Sequence, residues 1–221
     1  MIKKYKTTSS NSNINSVLSM IFSDIMFKLG INQSVFQQKI SKYIANIAIN
    51  KIITRKTLIT EKSSLKKELL SPEMTWKVFC KGINFLGYDS FKLKIDIYHN
   101  NGTVTTSEKE ILTSGLDNNI KNSLSDIYYS LLFDLNITKD KFNNLLDSYL
   151  SLFSNDVFNT LNERLNEKRK LLNQIFNTTM TWKVFCKGIK IINVIKFKMV
   201  FTLIDKDGKT LTHEQVITTG V

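Results

Sequence analysis

The stretch MTWKVFCKGI occupies residues 74–83 and recurs letter for letter at residues 180–189. Extended outward at the same shift of 106 residues, the comparison needs no gap: Asn13, Ile14, Leu18, Phe27, Leu29, Ile31, Phe36 and Tyr43 meet the same residue types at 119, 120, 124, 133, 135, 137, 142 and 149. The register continues through Glu61, Lys62, Leu65, Phe91, Lys92, Gly102 and Ile111. Over residues 13–113, 31 of 101 positions are identical, and 21 of 91 remain identical when the decapeptide is set aside, well above the level of unrelated sequences. The chain therefore reads as a tandem duplication, and two copies are too few for a solenoid. The expected arrangement is a pseudo-twofold pair of modules at 13–115 and 116–221 behind a polar N-terminal arm at 1–12, in effect a homodimer joined into one chain.

Each module passes through the same succession of periods. Ile14, Val17, Leu18, Ile21, Ile25 and Leu29 fall at helical spacing with Gly30 placed as a C-cap, and Ile120, Leu124, Ile127, Leu131 and Leu135 repeat this with Asn136 in the glycine's place. A second helix begins near Asn32 or Thr138, both good N-caps, and carries Phe36, Ile40, Ile44 and Ile47 in one copy and Phe142, Leu146 and Leu150 in the other. The copies then diverge. KIITRKTLIT (51–60) is β-branched and basic and reads as a loop or a frayed helix, whereas VFNTLNERLNEKRKLLNQIF (157–176) reads as helix. The decapeptide helix follows, with Ser71, Pro72 and Glu73 as its expected cap in the first copy and Asn177 in the second.

After the decapeptide the period changes to alternation. Phe91, Leu93, Ile95 and Ile97 share one face, and the chain turns at Asn100, Asn101 and Gly102; the second copy turns at residues 205–208. The expected fold class is thus α+β and mostly helical: about three helices followed by a β-hairpin, used twice. A lone hairpin is marginal in water, so each must pack on its helices or pair with the other.

On a helix the decapeptide presents Trp76, Phe79, Cys80 and Ile83 as one apolar stripe, matched by Trp182, Phe185, Cys186 and Ile189. Trp76, Phe79, Ile83, Trp182, Phe185 and Ile189 are the expected structural hub. Thr75 and Gly82 form a small face open to close approach, Met74 and Val78 sit near the lysines, and only Lys77 and Lys81 look solvated. Surface charge is exchanged freely elsewhere, as in Lys28 to Asp134 and Lys39 to Leu145, yet both lysines return as Lys183 and Lys187. They either cover the tryptophans with their methylene stems and pair with acids such as Glu73, or form basic points aimed at phosphate or an acidic partner. Packing, function and gene conversion each account for the identity of the ten residues.

With 42% hydrophobic residues the chain can bury a real core, and one proline among 221 residues argues against a linker-rich protein. Neither a membrane span nor a signal peptide is evident, so a soluble, intracellular protein is expected. Cys80 and Cys186 occupy matching places and read as core residues, because two thiols without clustered histidines cannot complete a zinc site. His99 and His213 are not equivalent in the repeat, and no Gly-rich phosphate loop or metal-ligand spacing occurs. Asp205, Asp207 and Gly208 share part of a calcium loop but lack its helical frame and later Glu. No catalytic residue, metal, cofactor, small-molecule substrate or membrane partner is expected.

Charge points to macromolecular partners. The net charge is +12, and it is uneven: residues 1–115 carry 17 basic and 8 acidic side chains, residues 116–221 carry 14 and 11. Lys42, Lys51, Arg55, Lys56, Lys62, Lys66 and Lys67 make the densest basic region, suited to nucleic acid or acidic proteins, although no nucleic-acid-binding fingerprint accompanies it. KELLSPEMTWKVFCKGINFL (67–86) followed by FKLKIDIYHNNGTVTT (91–106) resembles small uncharacterised proteins of large tailed bacteriophages, in which a basic MTWKVF-type helix precedes a hairpin. The resemblance spans about fifty residues of each module and brings no catalytic residues. It implies a phage structural or assembly protein, located in the virion or the host cytoplasm, whose partners are other phage subunits. A basic regulator that binds nucleic acid is the alternative.

Overall fold

The alternating residues after each decapeptide become the four strands of one antiparallel sheet, ordered β2-β1-β3-β4. The computed structural model describes residues 11–48, 54–114, 117–153 and 157–218. Among these, α1 (Asn11–Lys28), α2 (Gln33–Ala48), α3 (Arg55–Leu69) and α4 (Trp76–Leu86) precede β1 (Ser90–Tyr98) and β2 (Val104–Leu112). Then α5 (Asp117–Asp134), α6 (Lys139–Ser151), α7 (Leu161–Ile175) and α8 (Trp182–Ile191) precede β3 (Lys196–Ile204) and β4 (Thr210–Thr218). The bounds of α1, α3, β1 and β2 recur 106 residues later as those of α5, α7, β3 and β4.

Four helices precede each hairpin, one more than the three expected. The additional helix is α3, which takes in residues 55–60 of the stretch that read as loop or frayed helix; residues 51–53 lie outside the described residues. Weak local propensity is overridden by Leu65 and Leu69, which bury on the core, and by Thr54, whose Oγ1 accepts from the Thr57 N–H. Asn11 and Ser12, placed in the N-terminal arm by sequence, open α1. Gly30 (φ 64°) and Asn136 (φ 49°) both end their helices in the left-handed region, the position for which glycine and asparagine are the natural choices.

The two hairpins meet along β1 and β3. Ser90 lies opposite Ile204 and Ile97 opposite Phe197, so the midpoint of the seam pairs Lys94 with Val200, residues 106 apart. Phe91, Leu93, Ile95 and Ile97 of β1 and Phe197, Met199, Phe201 and Leu203 of β3 are fully buried on the face covered by helices. One hydrophobic cluster takes residues from both halves. The helices also cross between halves: α1 touches β4, and α5 touches β2, where Lys109 pairs with Asp126 at 2.8 Å. On the β4 side, Lys28 Nζ donates to the Thr212 carbonyl at 2.9 Å. Leu29, read as part of the apolar series of α1, lies beyond the helix end and is exposed.

His213 sits beneath α1, 7% exposed, with Nδ1 3.9 Å from Asp24 and Nε2 without a hydrogen-bond partner among the described residues. Burial and the nearby Lys28 charge lower its pKa, outweighing the opposite pull of Asp24 and Glu214. A histidine held neutral in the fold but free to protonate when unfolded makes the unfolded state bind more protons, so stability falls as pH drops below the ordinary value of 6.5. Denaturant titrations between pH 7 and pH 5 should show this loss, and His213→Gln should flatten it.

Phe79 is fully buried, edge-on to Phe91 at 5.7 Å and to Phe201 at 5.4 Å, so its ring joins α4 to strands of both halves. Phe79→Ala should cost about 3 to 5 kcal/mol in urea unfolding. A loss below about 1 kcal/mol would show that the ring is not a keystone of the shared core.

Candidate docking faces

The decapeptides bury side chains at the centre of the molecule. Thr75 and Thr181 are the N-caps, their Oγ1 atoms accepting from the Val78 and Val184 N–H groups at 3.3 Å. This corrects the caps expected at Ser71, Pro72 and Glu73 and at Asn177: a threonine inside the repeat supplies an acceptor to the first turn, so the helix starts later. Met74 precedes the helix, 1% exposed, and its N–H donates to the Asn15 carbonyl at 2.9 Å; Met180 does the same to Lys121 at 3.1 Å. Met74 is therefore a buried tie to α1 and not a neighbour of the surface lysines.

Trp76 and Trp182 face each other with ring centroids 6.1 Å apart, so each repeat packs on its own counterpart. Ile83, Phe185 and Ile189 are fully buried beside them. Gly82 lies so close to α1 that a Cβ there would come within 2.7 Å of the Phe22 ring, and Gly188 stands equally close to Tyr128. The Tyr128 hydroxyl donates to the Gly188 carbonyl at 3.0 Å, and burial raises its pKa beyond the ordinary phenol range. Burial also pushes the Cys186 thiol up to about 12, which makes it a poor nucleophile. Among the described residues no group of three or more His, Cys, Asp or Glu side chains could hold a metal ion.

The repeated lysines divide into two kinds. Lys81 pairs with Glu68 at 3.0 Å and Lys187 with Glu167 at 3.9 Å, and both are half-buried, which for these two is the pairing alternative, made with acids other than Glu73. Glu68 and Glu167 do not occupy corresponding positions, so the two lysines at matching places are held by acids at different places. Lys77 and Lys183 are exposed in the first turn of their helices, where the helix dipole disfavours a cation.

Helix α3 gathers most of the basic region. Arg55, Lys56, Lys66 and Lys67 are exposed, whereas Lys62 is half-buried and donates to Ser41 Oγ at 2.7 Å; Lys51 lies outside the described residues. Glu68 is taken up by Lys81 and Ser64, which leaves Glu61 to offset the cations on this helix. At about 100° per residue, Arg55, Ile59, Lys66 and Leu70 fall within roughly 60° of one another on the outward face. A cleft of about 430 Å³ lies beside this face, lined by Ser63, Lys66, Lys67, Leu70, Ser71 and Pro72.

The same four positions in the second half are Leu161, Leu165, Leu172 and Phe176. Leu161 is 71% exposed, Leu165 42% and Phe176 46%, with Leu172 half-buried, so the stripe on α7 is wholly apolar where that on α3 alternates Arg55 and Lys66 with the apolar Ile59 and Leu70. The stripe leads into a cleft of about 640 Å³ between α5, α6 and α7, whose lining includes Leu132, Ile137, Phe142, Leu172 and Phe176. Sequence inspection missed this face, because α7 was read only as a helix. The signal was present in the repeat register: laying the α7 wheel over that of α3 shows apolar residues where Arg55 and Lys66 stand.

The uncovered side of the sheet is electrically self-contained. Lys92 meets Glu108 at 3.6 Å, and Lys198 lies between Asp96 at 3.4 Å and Glu214 at 3.5 Å. Asp96 is 4% exposed; burial raises its pKa, but hydrogen bonds from Thr106, Lys94 and Lys198 together with the lysine charges hold it below the ordinary carboxylate value. These lysines are matched by acids and do not make a phosphate-binding surface.

No protein-family model, curated protein or solved structure matches the chain.

Replacing Lys77 and Lys183 together by Gln should leave the urea midpoint unchanged or slightly higher, since exposed cations at helix N-termini contribute nothing favourable. Glu68→Gln, which strands the half-buried Lys81, should lower the midpoint measurably. The reverse ranking would show that the exposed lysines support the fold.

Proposed function

We propose that the chain is a non-enzymatic docking protein built by tandem duplication, in which two modules related by a pseudo-twofold share one core and present different outward faces. The duplication is supported by the matching element bounds and by a seam that pairs Lys94 with Val200, its equivalent in the other half. The docking role rests on a single contrast. Equivalent helices keep their buried leucines and isoleucines, Leu65 with Leu171 and Leu69 with Ile175, while the exposed Arg55 and Lys66 give way to the exposed Leu161 and the half-buried Leu172. A constant interior with two chemically distinct surfaces suits a protein that joins two different partners. Together with the resemblance to proteins of large tailed phages, this favours a structural or assembly protein contacting other phage subunits, in the virion or the host cytoplasm.

The nucleic-acid reading is a second hypothesis, and the exposed Arg55, Lys56, Lys66 and Lys67 favour it. The two are separable. A virion component should appear in stoichiometric amount when purified particles of its phage are analysed by mass spectrometry, and absence from particles would remove that reading. A nucleic-acid binder using four cations should retard a 30-base-pair duplex with a log–log salt slope of about −3 to −4, reduced by roughly two in the Lys66→Gln, Lys67→Gln double variant. No retardation at low salt would eliminate this second reading.

A further inference from the structure

We propose that the apolar stripe of α7 and the cleft it enters form a groove for one amphipathic helix of another protein, whose apolar stripe is flanked by carboxylates. The inference rests on the docking reading and names the class of partner for one of its two faces.

The shape and length suit a helix. Leu161, Leu165, Leu172 and Phe176 lie within about 60° on α7 and extend along roughly 22 Å, the length of a four-turn helix. At the C-terminal end, Phe176 stacks on Tyr129 at 6.3 Å and meets Phe142 edge-on at 5.1 Å, forming a wall of the 640 Å³ cleft. Such an opening accepts an apolar side chain projecting from a docked helix, the arrangement by which helices seat in grooves.

Charge selects the occupant. The acids of α7 are engaged internally: Glu163 accepts from the Asn159 and Thr160 N–H groups, and Glu167 pairs with Lys170 and Lys187. Lys168 is held by Asp147 at 2.8 Å. Arg169 on α7 and Lys139, which lines the cleft, are exposed and make no ion pair with a described residue. Carboxylates flanking the incoming stripe would complement both. A second copy fits poorly, because an antiparallel α7–α7 contact that sets Leu161 against Phe176 brings each Arg169 beside its equivalent. A membrane fits poorly as well, since the face is a narrow stripe ending in a cleft and not a broad convex surface.

The test uses the full chain and a defined probe: a fluorescein-labelled 18-residue alanine-based peptide with leucines at the spacing i, i+4, i+7, i+11 and glutamates flanking them. Fluorescence polarisation should give a Kd in the micromolar range, and amide shifts in the labelled protein should concentrate on α7 and the start of α6. Leu161→Gln with Leu165→Gln should weaken binding at least about tenfold. Arg169→Glu should weaken it several-fold, as should lysines in place of the peptide's glutamates. Arg55→Gln with Lys66→Gln should change nothing. Four results would overturn the proposal: no binding, equal binding of the lysine-flanked peptide, shifts centred on α3, or a concentration-dependent dimer abolished by the leucine changes. Co-sedimentation with phosphatidylserine vesicles without peptide binding would also overturn it. Each of these leaves a positive virion result intact, so failure here is distinguishable from failure of the docking reading.

Discussion

The β1–β3 pairing is the constraint on which the architecture depends. Each hairpin alone would expose an apolar face and a long unpaired edge, and joining them at the centre removes two of the four edges at once. The register is also self-complementary: whatever β1 offers at a given distance from Lys94, β3 meets with the position of the opposite half. Contacts across such a seam come in equivalent pairs, so a single residue type must satisfy two environments. The tryptophans show this directly, since Trp76 and Trp182 are each other's neighbours. A substitution in one repeat is felt by the other, which gives a packing reason for the two stretches to be alike.

This places most of the decapeptide in the interior but not all of it. Thr75 caps the helix, Gly82 admits the Phe22 ring, Lys81 is tethered by Glu68 and Val78 packs half-buried on the core, so nine of the ten positions have a local physical cause. Lys77 and Lys183 do not. They are exposed where the helix dipole opposes them, and neither has an ion-pair partner among the described residues.

The fold class and the strands were legible in sequence because alternation over Phe91 to Ile97 and the turn residues around Gly102 are local signals. So was the hub, because Trp76, Phe79 and Ile83 fall on one stripe. Helix α3 was harder to read, since its stability comes from Leu65 and Leu69 docking on a core that sequence does not display. The caps were misplaced by two to four residues because Pro72 and Asn177 are strong punctuation, whereas a threonine cap declares itself through geometry. The pairing of the two hairpins could be listed as an option but not decided, since it depends on which edges come together over more than a hundred residues. Of the candidate surfaces, the basic face of α3 was visible as a run of lysines. The apolar face of α7 was not, because four hydrophobic residues at helical spacing, three of them exposed and Leu172 half-buried, look like core until the real core is seen on the other side of the helix.

The crossing of α1 to β4 and α5 to β2 bears on the order in which the protein can be made. Helix α1 leaves the ribosome well before β4, so Lys28 waits for Thr212, 184 residues later. At synthesis rates of about 5 to 20 residues per second, the 106-residue lag between β1 and β3 alone lasts roughly 5 to 20 s. Throughout that interval Phe91, Leu93, Ile95 and Ile97 stand on a strand whose inner edge has no neighbour. The nascent first half is therefore a partner in search of its equivalent, and on a crowded polysome the nearest equivalent belongs to another chain. Exchange of halves between molecules during synthesis is the hazard that this topology carries and that two independently folding modules would avoid.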